Sequence, residues 1–282
     1  MRIAVLGARG QLGAALVHEF CSRHEVVPFD RGALDVTGPD AVAAAMDRSA
    51  PDVIVNCTGF NAVDAAEDHP VEAMQTNALA VRSLARAASA HGAILVHYGS
   101  DFVFDGTATE PYTERDRPNP QSVYAASKMI GEWFAEDAPH AYVLRVESLF
   151  GRAPGGPSKG SVETIVDGLM AGATPRVFSD RVVSPTYVLD AARATRALIE
   201  QRAPAGLYHC VNSGSCTWLE LALEAARLLG VEARIEPVRI ADVSLRAARP
   251  RYCALSNRKL LDAGVAMPTW QAALSHYLAT RT

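Results

Sequence analysis

Tyr124 and Lys128 stand four residues apart in the segment Tyr-Ala-Ala-Ser-Lys, and Ser100 precedes them in the chain. Residues four apart on a helix lie one turn apart on the same face, so a phenol and an ammonium can approach one bound molecule together. A phenol can transfer a proton to a reacting oxygen, and a nearby cation favours its phenolate form. A serine hydroxyl can polarise a carbonyl group. We therefore predict that Ser100, Tyr124 and Lys128 catalyse a carbonyl reduction in which Tyr124 is the general acid.

Three glycines, Gly7, Gly10 and Gly13, follow the first apolar run of the chain and open a stretch typical of a helix. Glycine permits a tight turn close to a diphosphate, and a helix start offers free backbone N–H donors. The spacing G-x-x-G-x-x-G differs from the commoner G-x-G-x-x-G fingerprint, but its position directly after a strand favours a dinucleotide site. We expect NADPH or NADH to bind here, with the nicotinamide ribose held by Lys128.

The choice between the two cofactors depends on the end of the second predicted strand. Asp30 lies there, where a carboxylate can accept a hydrogen bond from the adenosine ribose 2′-hydroxyl of NADH. Arg31 follows directly, and a guanidinium can hold the 2′-phosphate of NADPH. The pair leaves both cofactors open.

The elements that must position these residues alternate in the first half of the chain. The predicted strands are 3–6, 26–29, 53–56, 94–97 and 142–146, and the predicted helices are 11–22, 39–48, 71–90 and 123–136. Strands that are apolar at nearly every position are typical of a parallel sheet covered by helices on both faces. We predict an α/β fold with a doubly wound, Rossmann-like parallel sheet, in which residues 1–150 form a dinucleotide-binding domain.

The pattern changes after Gly151, where the segment 153–160, rich in glycine and proline, predicts a loop. Further helices are predicted at 162–171, 189–202 and 218–229, and short strands at 176–178, 206–210 and 233–237. We predict that residues 151–282 mainly form a second, smaller mixed α/β domain that binds substrate, with about 180–202 returning to the first domain. The cleft is expected between the two, at the carboxyl ends of the strands.

Composition excludes several other classes of function. The 282 residues carry a formal net charge of −4, which gives no reason to expect nucleic acid or an anionic membrane as a partner. No apolar run is long enough to span a membrane. The five cysteines lack the close paired spacing of a zinc or redox site, which favours reduced thiols. We expect a cytoplasmic protein that is a monomer or a homodimer.

Taken together, these segments resemble the dTDP-4-dehydrorhamnose reductase family of the extended short-chain dehydrogenase/reductase superfamily. The resemblance runs along nearly the whole chain through 10–13, 34–37, 51–57, 62–64, 77–78, 100–106, 124–128, 131–132, 184–186, 206–209, 249–250 and 268–270. It implies that NADPH or NADH reduces the 4-keto group of a dTDP-linked 6-deoxy-hexulose. The product implied for this 4-ketohexose is a dTDP-deoxysugar such as dTDP-L-rhamnose.

The resemblance also implies roles for individual residues. Ser100 takes the position of the family's threonine, and Tyr124 and Lys128 match its catalytic pair. The matching places along the cofactor Gln11, Leu12, Asp30, Asp35, Val36, Gly59, Phe60 and Asn61, beside Gly7, Gly10, Gly13, Arg31, Tyr124 and Lys128. It places around the substrate Ser100, Asp101, Phe102, Ser148 and Arg249, with Arg249 reaching the nucleotide phosphates.

The chain departs from the family pattern around the sugar. Phe102 stands where the family usually has a tyrosine, and Ser148 stands where it commonly has a tryptophan that contacts the sugar. These departures leave the identity of the hexose open. Ala15 and Leu189 stand where some members have two of the carboxylates through which they dimerise around magnesium, so we predict no such metal.

Two other functions fit the same residues. A nucleotide-sugar C4 epimerase uses the same tyrosine and lysine with a tightly retained cofactor. A non-catalytic NADP-binding regulatory subunit keeps the cofactor site without needing the chemistry, and the presence of both Tyr124 and Lys128 favours an enzyme over it. A dehydratase is disfavoured because Phe102 stands where dehydratases of this superfamily place a glutamate.

Overall fold

Six parallel strands form the central sheet of the computed structural model, which describes residues 1–281. The strands of the chain are β1 Arg2–Leu6, β2 Glu25–Phe29, β3 Val53–Asn56, β4 Ile94–Ser100, β5 Ala141–Val146, β6 Leu149–Phe150, β7 Arg176–Phe178, β8 Val182–Val183, β9 Thr186–Tyr187, β10 Gly206–His209, β11 Cys216–Thr217 and β12 Glu236–Val238. The α-helices are α1 Gln11–Phe20, α2 Pro39–Ser49, α3 Val63–Asp68, α4 Pro70–Met74, α5 Ala80–His91, α6 Val123–Glu136, α7 Ser161–Met170, α8 Val188–Glu200, α9 Trp218–Leu229, α10 Arg258–Asp262 and α11 Trp270–Ala279. Gln75–Leu79 is π-helical, and Asp101–Val103 and Ile240–Asp242 are 3₁₀ turns.

Helices cover both faces of the central sheet, whose order is β10-β5-β4-β3-β1-β2. Ile3 and Val5 of β1 pack into the core that contains α1 and α8, whereas Ala4 and Leu6 pack into the core that contains α2 and α5. Burial on both faces explains why the strand is apolar at each of these positions. The predicted α/β fold with a doubly wound parallel sheet is confirmed.

The strand order places a crevice at the carboxyl edge of the sheet. The chain passes from β1 outwards to β2 and then returns to the other side of β1 as β3, so the connections diverge between β1 and β3. A crevice forms outside the carboxyl ends of the strands at such a reversal. The segments that follow β1, β3, β4 and β5 all begin at this edge.

The second half of the chain contributes to the central sheet as well as to smaller sheets. Strand β10 pairs in parallel with β5 as the outermost strand, and α8 packs with α1 in one core. The smaller sheets pair β7 with β12, β8 with β11 and β6 with β9. The division of the chain near residue 150 into two domains stays a prediction.

Several elements differ from the sequence predictions. The single helix predicted at 71–90 is α4, a π-helical segment and α5, because the backbone widens at Gln75–Leu79. The strand predicted at 233–237 begins only at Glu236 and pairs with β7. The helices α3, α10 and α11 were not predicted. In the described residues 1–281, no helix has the length and apolar character needed to cross a membrane.

Candidate active site

Two adjoining cavities lie at the carboxyl edge of the sheet and form one crevice. We name the cavity that contains Tyr124 the tyrosine cavity, with a volume of about 680 Å³. We name the cavity that contains Asp30 the aspartate cavity, with a volume of about 560 Å³. The residues that line both are Gly10, Cys57, Thr58, Gly59, Asn61 and Lys159. Because the lining is shared, one long molecule can occupy both cavities.

The glycine turn after β1 brings backbone close to this crevice. Gly7 has a φ of +75°, which is a left-handed conformation that favours glycine. A Cβ on Gly13 would lie 2.2 Å from the carbonyl oxygen of Gly7, so α1 can approach the turn this closely only with glycine there. The N-cap residue of α1 is Gly10, which leaves the first backbone N–H groups without a side-chain cap. The turn has the space and the donors that a diphosphate requires, so these residues fit a dinucleotide.

Seven of the residues expected along the cofactor line the aspartate cavity, and these are Asp30, Arg31, Asp35, Val36, Gly59, Phe60 and Asn61. The Asp30 carboxylate accepts hydrogen bonds from the backbone N–H groups of Gly32 and Ala33. It also forms an ion pair with Arg9 at 2.8 Å. Arg9 was not predicted as a site residue, although its place inside the glycine turn was a usable signal.

Asn77 connects the crevice to the helix that carries Tyr124. Its side-chain oxygen accepts a hydrogen bond from the N–H of Phe60 at 2.8 Å, and its amide donates to Phe60 O at 3.1 Å and to the Ser127 hydroxyl at 2.9 Å. A Cβ on Gly131 would lie 2.0 Å from the carbonyl oxygen of Asn77, so α6 packs directly on the π-helical segment. Asn77 therefore fixes the Phe60 loop relative to α6. A π-helical turn is frequent at functional sites, but the residue pattern did not reveal it.

Gln11 holds both ends of the loop at 153–160 beside the crevice. Its side-chain amide donates to the carbonyl oxygens of Gly151 at 2.8 Å and Lys159 at 2.9 Å. Lys159 lines both cavities, so its ammonium can approach an anionic group in the crevice. Sequence analysis predicted the loop but not the position of this lysine.

Ser100, Tyr124 and Lys128 lie together on one wall of the tyrosine cavity. Ser100 ends β4, and the other two residues lie on the first turns of α6, which the Ser122 hydroxyl caps by accepting a hydrogen bond from the N–H of Ala125. The exposed fraction is 5% for Ser100, 8% for Tyr124 and 5% for Lys128. The structure brings the three side chains together, and their catalytic roles stay a prediction.

Hydrogen bonds fix the two flanking groups of this wall. The Ser100 hydroxyl donates to Asp101 Oδ1 at 3.1 Å and accepts from the N–H of Phe102 at 3.2 Å. The Lys128 ammonium donates to the carbonyl oxygen of Tyr98 at 2.5 Å. Tyr124 packs edge to face against the Phe102 ring, with the centroids 5.5 Å apart.

The surroundings favour the neutral phenol of Tyr124. Burial raises the pKa of Tyr124 to about 12, and the Ser100 hydroxyl opposes this only in part. Burial also lowers the pKa of Lys128 to about 8, against the effect of the Glu132 carboxylate. The Lys128 ammonium is directed at the carbonyl oxygen of Tyr98, and the expectation that it favours the phenolate of Tyr124 stays a prediction. A neutral phenol is the form that can donate a proton to a carbonyl oxygen.

The residues expected around the substrate divide into two groups. Asp101, Phe102 and Ser148 line the tyrosine cavity. Arg249 is absent from the described lining of either cavity and instead pairs with Asp64 at 2.8 Å. Its guanidinium lies 5.8 Å from the centroid of the Phe102 ring, so Arg249 is near the crevice but is held at its edge by Asp64.

Three buried residues that sequence analysis missed, Glu147, Arg181 and Cys253, lie beside Asp101. We name Asp101, Glu147, Arg181 and Cys253 the acid cluster. A carboxylate oxygen of Asp101, a carboxylate oxygen of Glu147 and the sulfur of Cys253, all atoms of types that can bind a metal ion, lie within 4.8 Å of one another. An Arg181 nitrogen lies 3.9 Å from a carboxylate oxygen of Asp101 and 3.6 Å from the sulfur of Cys253, so the Arg181 guanidinium supplies a positive charge within the cluster. The prediction of no bound metal stays a prediction.

The chain is similar over nearly its full length to proteins of one known family. A family model described as the RmlD substrate binding domain matches residues 1–282. The dTDP-4-dehydrorhamnose reductase of Streptomyces griseus is 37% identical, over 97% of this chain and 92% of that protein. The spore coat polysaccharide biosynthesis protein SpsK of Bacillus subtilis (strain 168) is 31% identical, over 100% of this chain and 98% of that protein. The crystal structure of dTDP-4-dehydrorhamnose reductase from Bacillus anthracis in complex with NADP has a TM-score of 0.92 and 31% identity, and the match covers 99% of this chain and 98% of that one.

Proposed function

The chain belongs to the dTDP-4-dehydrorhamnose reductase family, and on this premise we propose that it reduces the 4-keto group of a dTDP-linked 6-deoxy-hexulose with NADPH or NADH. It is an NAD(P)-dependent oxidoreductase. The observation that supports the assignment of its site is that Ser100, Tyr124 and Lys128 line one cavity that adjoins the glycine turn. The glycine turn and these three side chains would together hold a dinucleotide whose chemistry is hydride transfer to a carbonyl carbon.

The cofactor, when bound, supplies a hydride to the carbonyl carbon. The backbone N–H groups at the start of α1 bind its diphosphate, and Lys159 adds a positive charge beside them. Asp30 and Arg9 bind at the adenosine ribose, where a carboxylate favours a free 2′-hydroxyl and a guanidinium favours a 2′-phosphate. The presence of both groups supports the use of either cofactor.

The chain's own side chains supply the proton. Tyr124 donates its phenolic proton to the carbonyl oxygen, which requires the neutral phenol that burial favours. Ser100 positions that oxygen by hydrogen bonding, and the Lys128 ammonium stabilises the phenolate that remains. Lys128 also holds the nicotinamide ribose hydroxyls.

The sugar lies against the wall formed by Asp101, Phe102 and Ser148. Asp101 accepts hydrogen bonds from sugar hydroxyls, while Phe102 offers only apolar contact. Arg249 reaches the nucleotide phosphates if substrate binding releases it from Asp64. The cytoplasmic location and the state as monomer or homodimer stay predictions, and all five cysteines being free thiols supports a reducing compartment.

The test is incubation of the protein with NADPH, or with NADH, and a dTDP-linked 4-keto-6-deoxyhexose. We expect the absorbance of the reduced nicotinamide to fall as one dTDP-deoxysugar forms per cofactor oxidised. The Tyr124→Phe protein serves as the matched control because only the proton donor changes. Interconversion of C4 epimers without net cofactor oxidation would replace this proposal with the epimerase. Cofactor binding with no turnover on any 4-ketohexose would replace it with the regulatory subunit.

A further inference from the structure

The acid cluster adjoins the catalytic wall, but the proposed mechanism uses only Asp101 from it. The four residues come from separate parts of the chain, after β4, after β5, before β8 and before α10. Their exposed fractions are 3% for Asp101, 1% for Glu147, 9% for Arg181 and 0% for Cys253. Two carboxyl groups, one of which accepts a hydrogen bond from Ser100, are therefore buried together with a guanidinium.

Three polar atoms of the cluster have no hydrogen-bond partner within the described residues 1–281. They are Asp101 Oδ2, Glu147 Oε1 and Arg181 Nε. The other oxygen of Glu147 accepts a hydrogen bond from the N–H of Ser184 at 2.7 Å, which fixes the carboxyl in place. A buried polar atom without a hydrogen-bond partner lowers the stability of the fold. These three atoms are therefore stabilised by the opposite charges of the cluster or by a proton retained on one of the two carboxyl groups.

The charges of the cluster balance only if one carboxyl group keeps its proton. Full ionisation would leave two negative charges against the single positive charge of Arg181, which is unfavourable in a buried site. Burial raises the pKa of Glu147 well above its usual range, and the negative charge of Asp101 raises it further. Burial raises the pKa of Asp101 as well, but the Arg181 guanidinium and the Ser100 hydroxyl beside its carboxylate favour the ionised form and oppose this rise. Glu147 is therefore the group that holds the proton.

Other titratable groups around Glu147 do not change this balance. The groups that face it are Asp101, Arg181, Cys216, Tyr252 and Cys253. Burial raises the pKa of Cys216 and of Cys253, and it also raises the pKa of Tyr252. All three are uncharged near neutral pH, so Arg181 alone compensates the acids.

We propose that Arg181 and Glu147 are positioning residues for Ser100. Arg181 balances an ionised Asp101, Glu147 is retained as the uncharged acid, and Asp101 then holds the Ser100 hydroxyl at 3.1 Å beside Tyr124. Arg181 and Glu147 touch neither cavity, and through Asp101 they hold the Ser100 oxygen in place. The hydroxyl has a single proton, which turns from Asp101 to the reacting oxygen when a carbonyl group binds. This inference rests on the proposed function.

The kinetic test is a double-mutant cycle between Arg181 and Ser100. We expect Arg181→Gln to lower kcat about tenfold in the wild-type background with the KM for the sugar nucleotide changed less than about threefold. In the Ser100→Ala background, the same substitution should change kcat less than about twofold, because the group it positions is gone. Arg227→Gln, an exposed arginine on α9, is the control and should leave kcat unchanged. Equal losses in both backgrounds, or no loss in either, would overturn the proposal.

A second test needs no activity and therefore separates failure of this inference from failure of the proposed function. Unfolded glutamate has a pKa of about 4.3, whereas folded Glu147 keeps its proton to a higher pH. Wild-type stability must therefore fall as the pH rises between these two values, and glutamine does not titrate. We expect the Tm of Glu147→Gln relative to wild type to increase from pH 5 to pH 8, and Glu110→Gln, at an exposed position, is the control for the removal of one carboxyl group.

Two results of the stability test would overturn the proposal. One is a difference in Tm between Glu147→Gln and wild type that stays constant with pH. The other is failure of Glu147→Gln to fold, because an uncharged isostere must fit a site built for an uncharged acid.

Discussion

The glycine turn lines the crevice, the acid cluster lies behind the wall that carries Ser100, and the two are built in different ways. The turn is made of backbone from residues 7–13, and its donors follow from the conformation of a single short segment. The acid cluster is made of four side chains that are far apart in the sequence between Asp101 and Cys253, and its properties follow from their burial and the balance of their charges. A site made of backbone carries a local signal in the sequence, whereas a site made of converging side chains does not. The glycine turn and the acid cluster should therefore fail separately when mutated.

The largest effect is expected at the catalytic wall. Tyr124→Phe removes only the proton donor, so kcat should fall about 10³-fold, since general acid catalysis contributes about 10² to 10⁴. The Kd for NADPH, measured by fluorescence titration, should change less than about twofold. Turnover at the wild-type rate would show that another group delivers the proton.

Lys128→Ala should affect both catalysis and cofactor binding, because this residue stabilises the phenolate and holds the nicotinamide ribose. We expect kcat to fall about 10²-fold and NADPH affinity to fall about tenfold, since a charged hydrogen bond is worth about 1.5 to 3 kcal/mol. Rapid kinetics at saturating NADPH separates the two effects. An unchanged Kd for NADPH in Lys128→Ala would show that Lys128 does not hold the nicotinamide ribose.

Gly13→Ala should damage the glycine turn alone. The added Cβ would lie 2.2 Å from Gly7 O, and overpacking of this kind costs about 1 to 3 kcal/mol. NADPH affinity should therefore fall about 30-fold, while the rate of the chemical step at saturating cofactor stays within about threefold. Gly38→Ala is the control, because the nearest atom to its Cβ would lie 3.5 Å away. Equal losses of NADPH affinity in Gly13→Ala and Gly38→Ala would show that the glycine turn has no specific role in cofactor binding.

The pH dependence should report Lys128. Burial lowers its pKa to about 8, so the ammonium is present below this pH and is lost as the pH rises through it. We expect kcat/KM of the wild-type protein to fall up to tenfold per pH unit above about pH 8. The same fall in Lys128→Ala would assign the ionisation to another group.

The smallest effect is expected at the aspartate cavity. Arg9→Ala leaves the Asp30 carboxylate uncompensated, which should weaken NADPH about fivefold relative to NADH because the 2′-phosphate meets an unbalanced negative charge. The ratio of kcat/KM for the two cofactors measures this. Arg86→Ala, an exposed residue of α5, is the matched control and should leave the ratio unchanged. A ratio that moves toward NADPH in Arg9→Ala would reverse the assigned role.

The fold was largely predictable because its signals are local. Each strand of the central sheet is apolar over several consecutive residues, and α6 was predicted with both its bounds. The π-helical turn that carries Asn77 was not predictable, because the pattern of residue types is that of one continuous helix and gives no sign of the close packing of α6 on Asn77 O. Strand β10 was predicted as a strand but not as a strand of the central sheet, since pairing with β5 leaves no local mark.

The candidate site was predictable to the extent that it consists of motifs. The glycine turn, Tyr124 and Lys128 have spacings that indicate chemistry, and the structure places them around one crevice. Arg181 and Glu147 have no such spacing, and their significance depends on burial beside Asp101. The pairing of Arg249 with Asp64 was equally invisible, because the two residues are distant in the chain.

The central claim is that this wall delivers a proton while a nicotinamide delivers a hydride to the same carbonyl group. The most direct measurement uses NADPH with deuterium at the transferable position of the nicotinamide, a dTDP-linked 4-keto-6-deoxyhexose, and analysis of the product by NMR and mass spectrometry. The account predicts one deuterium bound to C4 of the product sugar, and about 10³-fold slower labelling with Tyr124→Phe. Retention of the label on the nicotinamide, or its appearance at a carbon other than C4, would contradict it.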